Sequence, residues 1–257
     1  MSAMKSQARK IISLSTLPVR QRHLLKQICR LADERDLSVY LVGGIIRDLL
    51  LKRGKGDLDL TVEGDGIAFA RLVADRYGAG LVVFERFATA RLTFPNGLKM
   101  DIATTRRESY AQPALLPTVQ PASIEEDLSR RDFTINAIAS SIDQAAPQLY
   151  DPLDGAADLR NKQLRACGPE TFSDDPLRML RAARFIARLH ATPAPELVDA
   201  VREMHGRLSI VSAERIRDEL DKLGTLPHLT AGLWFAIDTG LADEFLPELP
   251  ALRLEQD

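Results

Sequence analysis

Apolar and polar positions along the chain fall into two regimes. Within residues 17–37, Leu24, Leu25, Ile28, Leu31 and Ala32 recur at the spacing of an amphipathic helix. Residues 38–42 read as a short buried strand, broken by Gly43-Gly44, and residues 45–51 as a short helix. Residues 57–62 alternate charged and apolar side chains, as a half-buried strand does. Residues 68–77 are helical, closed by Gly78 and Gly80. Residues 81–84, 89–94 and 98–103 predict three successive strands, with Pro95-Asn96-Gly97 as a hairpin turn between the last two. Residues 109–123 hold three prolines and little periodicity, which predicts a mobile loop. After about residue 143 the strand signals stop. Residues 177–189, 196–204, 212–223 and 229–239 all read as helices, with Asp175-Pro176 and Ser212 as starts. The pattern thus predicts an α/β domain over residues 1–145 and a helical one over 146–257.

Composition narrows the picture without deciding it. The 257 residues are 45% hydrophobic and 27% charged, enough to bury a sizeable core. Net charge is −2, so any nucleic-acid footprint must be local. Arginines do cluster, at Arg106–Arg107, Arg130–Arg131, and Arg178, Arg181, Arg184 and Arg188. Aromatics are only 5%, with the single tryptophan Trp234, too few for a surface built on base stacking. Cys29 and Cys167 are far apart; Cys29 falls in an apolar helical pattern and is expected in the core. This cysteine usage fits a reducing cytoplasm. No apolar run approaches a membrane span, and the N-terminus lacks the apolar block of a signal peptide. His23, His190, His205 and His228 are scattered, and no zinc site is expected.

The chemistry concentrates in Gly43-Gly44, Arg47-Asp48 and Asp57-Leu58-Asp59. Two aspartates one residue apart on a strand point to the same face, where they can share divalent cations. Mg²⁺ favours a few carboxylates completed by water and substrate phosphate. The glycine pair lets backbone approach a phosphate closely. Asp101, on the strand after the Pro-Asn-Gly turn, could be brought beside the first two by strand pairing. Asp-x-Asp alone is a weak signal; the Gly-Gly and Arg-Asp upstream sharpen it.

With those residues in hand, the stretch LVGGIIRDLLLKRGKGDLDL resembles the first signature of the class II CCA-adding enzyme and bacterial poly(A) polymerase family. Four further blocks resemble that family in the same order: SRRDFTINAIA (129–139), LYDPLDGAADL (149–159), SDDPLRMLRAARFIARL (173–189) and SAERIRDEL (212–220). The resemblance implies a nucleotidyltransferase head, a mixed and mainly antiparallel sheet with helices, followed by an all-helical neck and body. It implies Mg²⁺ as cofactor and Asp57 and Asp59 as its ligands; Asp101, read from its strand position alone, would assist them as a third catalytic carboxylate, its role as a metal ligand left open. Gly43, Gly44, Arg47, Asp48, Arg130, Arg131, Asp132 and Asn136 would bind the nucleotide's ribose and triphosphate. Asp175 and Arg178, three apart on an expected helix, would read the base, with Arg181 and Arg184 on the same nucleotide-binding block. A carboxylate accepts from an exocyclic amine and a guanidinium donates to ring acceptors, which suits cytosine and adenine and rejects guanine and uracil. The family usually has Glu where this chain has Asp174, a neighbour of supportive character.

The implied reaction is template-independent addition of C and A to a transfer RNA 3′ end from CTP and ATP, with no DNA or membrane partner. An A-adding enzyme or a poly(A) polymerase shares all these residues, and DLDLTVEGDG suits CCA-adding and A-adding members alike. A catalytically dead RNA-binding homologue and a helical adaptor are the readings from other classes. The loop over 109–123 would help the switch from C to A addition. Glu214, Arg215, Arg217 and Glu219 are expected to brace the nucleotide helix or to begin the RNA-holding region, without a catalytic part. Family members usually carry a helical body well past the fifth block, so this chain, which stops at Asp257, reads as a fragment, a minimal natural form, or one that needs a partner to hold RNA. The sequence leaves oligomeric state open.

Overall fold

The structure is a computed structural model and describes residues 12–54, 56–109, 118–143 and 146–248. Its elements run α1 (Val19–Asp33), β1 (Ser38–Val42), α2 (Gly44–Leu50), β2 (Leu58–Glu63), α3 (Gly66–Tyr77), β3 (Gly80–Phe84), β4 (Thr89–Thr93), β5 (Lys99–Thr104), β6 (Arg106–Ser109), β7 (Thr118–Pro121) and α4 (Ile124–Ser129). There follow β8 (Ala139–Ser141), β9 (Leu149–Tyr150), α5 (Gly155–Arg160), β10 (Gln163–Leu164), α6 (Thr171–Asp174), α7 (Leu177–Leu189), β11 (Thr192–Pro193), α8 (Pro195–Met204), α9 (Ala213–Gly224) and α10 (Thr230–Asp238).

Two compact units share the chain. The first takes residues 1–108, 119–129 and 136–156, and the second takes 109–118, 130–135 and 157–257. Sequence pattern suggests one boundary near residue 145; by contacts, residues 130–135 group instead with the helical unit.

In the first unit, seven strands form one sheet in the order β3-β4-β5-β2-β1-β8-β9. Only the β2–β5 pair is parallel, so the sheet is mixed and mainly antiparallel. Strand alternation explains its two faces. Leu58, Leu60, Val62, Ala90, Leu92, Met100 and Ile102 are all essentially inaccessible and share one core with Leu25 and Ile28 of α1, Ile46 of α2 and Phe69 and Val73 of α3. Asp59, Arg91 and Asp101 alternate with them and face the other way. The parallel pair needs a crossover, which α3, β3 and β4 supply. β8 and β9, three and two residues long, extend the sheet beyond what alternation predicts. The ends of the expected loop over 109–123 are also ordered: β6 and β7 form a two-stranded ribbon, with Arg107 donating to Gln120 Oε1 at 2.8 and 3.0 Å. The middle of that loop lies outside the described residues.

The second unit is mainly helical, with the short parallel pair β10–β11. Its centre is α7, buried along most of its length, including Met179, Leu180, Ala183 and Phe185. α10 packs against α7 at Gly232, where an added Cβ would sit 2.3 Å from the Ala183 carbonyl oxygen. Gly232→Ala therefore forces two helices apart and is expected to cost about 1–3 kcal/mol by overpacking. A urea midpoint equal to that of the parent protein would show that the helices do not meet there.

Among the described residues no helix is long and apolar enough to cross a membrane. Cys29 is half-buried rather than fully in the core. Burial, reinforced by Asp33, pushes its thiol up to about 11, and burial together with Asp132 also raises that of Cys167. Both therefore stay protonated near neutral pH and are poor nucleophiles or ligands.

Candidate functional site

Gly43 ends β1 with φ of +72°, a conformation that favours glycine, and donates its N–H to the Ile138 carbonyl. The chain turns there into α2, which buries Arg47 and Asp48. Arg47 donates Nε to Asp48 Oδ1 at 2.9 Å and Nη1 to Asn136 Oδ1 at 2.7 Å. The first and second signature blocks are thus tied together below the glycine turn. Arg47, Asp48 and Asn136, expected to contact nucleotide directly, hold one another and are each at most 9% exposed.

Past the turn, Asp57 immediately precedes β2 and is exposed, and Asp59 lies one alternation further on. Strand register sets their neighbours. Asp59 is the pairing partner of Asp101 across the parallel β2–β5 ladder, and Asp101 that of Arg91 across the antiparallel β4–β5 ladder. Asp59, Asp101 and Arg91 therefore form a row across three strands on the face away from the core. Arg91 binds both oxygens of Asp101, Nε to Oδ1 and Nη2 to Oδ2, each at 2.7 Å. The hydrogen-bonded charge of Asp101, and beyond it Asp57 and Asp59, push the Arg91 guanidinium further up its already high range. Sequence reading does not single out Arg91. The signal was available, because a hairpin closed by Pro95-Asn96-Gly97 pairs Arg91 with Asp101.

Among the described residues no cluster of three or more His, Cys, Asp or Glu side chains is arranged to hold a metal ion. Two carboxylates on an open sheet face still suit a hard cation of the Mg²⁺ type, which completes its shell with water and substrate phosphate. Asp57 and Asp59 fit that donor set by residue type and place, and Asp101 has both oxygens engaged by Arg91.

In the second unit, Asp132 accepts from Phe133 N at 2.8 Å and from Arg181 Nε and Nη2 at 3.0 and 2.5 Å. Arg181 also reaches Glu219 at 3.4 Å. Burial pulls the Arg181 guanidinium down, but Asp132 and Glu219 outweigh it and the net shift is upward. Arg184, 8% exposed, donates to both oxygens of Glu219 at 2.7 and 3.2 Å and lies 4.4 Å from the Phe185 ring centroid. Arg181, Arg184 and Asp132 thereby build a buried ionic frame around Glu219, and Arg130 and Arg131 are half-buried beside it in sequence.

Asp175 departs from expectation. It does not share a helix with Arg178: its backbone is extended (φ −141°, ψ 98°) and α7 begins only at Leu177. Pro176 is the cause, since a residue before proline is excluded from helical backbone. Asp175 instead caps the approach to α7, with Oδ1 accepting from Leu177 N at 3.2 Å and Oδ2 from Arg215 Nη2 at 2.8 Å. Arg178, 9% exposed, donates to the Thr171 carbonyl at 3.4 Å. Glu219 and Arg215 thus brace the fourth block from α9, as the fifth block's charges suggested.

A mainly antiparallel sheet with helices on one face and an Asp-x-Asp pair at the start of a central strand on the other is the architecture of a nucleotidyltransferase head. The chain belongs to the poly(A) polymerase family of nucleotidyltransferases. Residues 39–165 match the poly A polymerase head domain, and residues 192–252 match the probable RNA and SrmB-binding site of polymerase A. The chain is 41% identical over 212 residues to an A-adding tRNA nucleotidyltransferase of Halalkalibacterium halodurans, covering 78% of this chain and 48% of that one. It is 35% identical over 227 residues to a CCA-adding enzyme of Lactobacillus johnsonii, covering 86% of this chain and 54% of that one. A crystal structure of a tRNA nucleotidyltransferase complexed with a primer tRNA and an incoming ATP analogue superposes with a TM-score of 0.74 at 34% identity, covering 85% of this chain and 62% of that one. The chain thus spans about half the length of the two relatives named.

Proposed function

We propose that this protein adds C and A nucleotides, without a template, to the 3′ end of transfer RNA, using CTP and ATP and releasing pyrophosphate. The observation that carries the reading is the placement of Asp57 and Asp59 on the open acidic face of the head, beside a glycine turn. Mg²⁺ bound there would lower the pKa of the attacking 3′-hydroxyl and neutralise charge on the leaving pyrophosphate. Asp57 and Asp59 would be its ligands, with Asp101 the neighbouring carboxylate across the β2–β5 ladder. Gly43 and Gly44 leave backbone room for phosphate. Arg47, through Asp48 and Asn136, keeps that turn rigid. Arg130 and Arg131 supply guanidinium charge for the triphosphate, while Asp132 is fixed by Arg181. Asp175 and Arg178 select the base: the carboxylate accepts from the exocyclic amine of cytosine or adenine, and the guanidinium donates to the adjacent ring acceptor. Catalysis is then mostly positioning and electrostatics.

A second reading is addition of A alone, the activity for which the 41% identical relative is named. One assay separates them. Labelled transfer RNAs ending before CCA, after C and after CC are incubated with Mg²⁺ and CTP, ATP or both, and products are sized at single-nucleotide resolution. Completion of the first RNA only when both nucleotides are present is the expected result. Extension of only the CC-ended RNA by one A would replace it with the A-adding reading. Long A tails would make the protein a poly(A) polymerase, and no extension of any RNA would overturn the reading.

A further inference from the structure

We propose that Arg91 is a positioning residue of the cation site: its guanidinium fork occupies both oxygens of Asp101, withholds that carboxylate from a divalent ion, and so limits how tightly the site binds one. This rests on the reading of Asp57 and Asp59 as metal ligands.

Three facts of geometry carry it. First, strand register places Asp59 and Asp101 side by side on one face, and Asp57 lies two residues before Asp59, just ahead of the strand. Three acids so placed make a stronger chelate than two, and also repel one another when no cation is present. Second, the third side chain in the row, beside Asp59 and Asp101, is a cation, and it engages Asp101 in the two-pronged manner that only arginine provides, at 2.7 Å on each oxygen. A metal ion entering the Asp101 shell would have to displace those N–H donors and lie beside a guanidinium of like charge. Third, the Arg91 side chain is 54% exposed, while the flanking Ala90 and Leu92 are fully buried. The backbone beneath it is therefore pinned, and the arm can be exchanged without repacking the core. Arg91 and a divalent ion compete for one carboxylate, and neither Arg91 nor Asp101 lies in the signature blocks of the sequence.

The test is Mn²⁺ titration of the whole protein, followed by the electron paramagnetic resonance signal of the free ion. Arg91→Gln removes charge and fork; Arg91→Lys keeps the charge and removes the fork. Both are expected to bind Mn²⁺ roughly fivefold more tightly, the equivalent of one well-formed exposed ion pair. In an Asp101→Asn background the same substitutions should bring no gain, because no carboxylate is left to release. A gain in Arg91→Gln that is missing from Arg91→Lys and persists in the Asp101→Asn background would be general charge alone and would overturn the proposal. So would unchanged affinity in both variants. Asp57→Ala, titrated alongside, tests the underlying reading separately: Mn²⁺ binding unaltered by that change would remove Asp57 as a ligand, whatever Arg91 does.

Discussion

Asp57→Ala is expected to slow nucleotide incorporation by roughly a hundred- to a thousand-fold, the usual cost of losing one preorganised electrostatic group at a reacting centre. Fold stability should hardly change. Asp57 is exposed and immediately precedes β2, and surface substitutions of that kind stay within about 0.5 kcal/mol. The contrast between the two readouts is what identifies a ligand rather than a structural residue. Asp59→Ala should behave in the same way, because alternation puts the two carboxylates on one face while Leu58 and Leu60 anchor the strand from the other. Single-turnover incorporation of CTP, with urea unfolding on the same preparations, is the measurement. Parent-like incorporation in Asp57→Ala would remove that residue from the chemistry, and an equal loss of stability would assign it to the fold.

Glu219→Ala is expected to be the most destabilising single change in the helical unit, at about 3–5 kcal/mol, because it strands buried positive charge. Glu219 is 1% exposed and receives Arg184 on both oxygens and Arg181 on one. Arg184 is itself buried and cannot turn to water when its partner goes. That loss is a large fraction of the 5–15 kcal/mol or so that holds a typical domain together. Glu219→Gln keeps the shape and one acceptor oxygen, so it should fall between the parent and the alanine variant. Urea midpoints order the three proteins. A Glu219→Ala midpoint within experimental error of the parent would mean that water reaches the arginines and that the frame is not dry.

Much of this arrangement was legible in the amino-acid pattern, and the exceptions have physical causes. β2, β4 and β5 alternate apolar and polar residues because every second side chain enters the core, which is the case that sequence period detects best. The amphipathic α7 was equally plain. Asp175 was misplaced because its three-residue distance from Arg178 suits a helix, while Pro176 overrides that spacing at the preceding residue. β8 and β9 are too short to show a period. The ribbon of β6 and β7 was hidden by the prolines between and within its strands. Arg91 carries no signal in the hydrophobic pattern, because its role depends on which residue faces it ten positions on, and hydrophobic period does not weigh such pairs. The Glu219 frame draws on residues 132, 181, 184 and 219, and only tertiary structure brings such distant positions together.

The allocation of residues 130–135 to the helical unit has a consequence for how such a protein can be rearranged. Asp132, which fixes Arg181, comes from a hexapeptide lying in the gene between two stretches of the sheet unit. A crossover at residue 145 would look tidy in the reading frame, yet it would pass Arg181 to the recombinant without its carboxylate. Inheritance of the helical part as a free-standing cassette is therefore unfavourable. Shuffling that respects the frame around Glu219 must carry the second signature block along with the fourth and fifth.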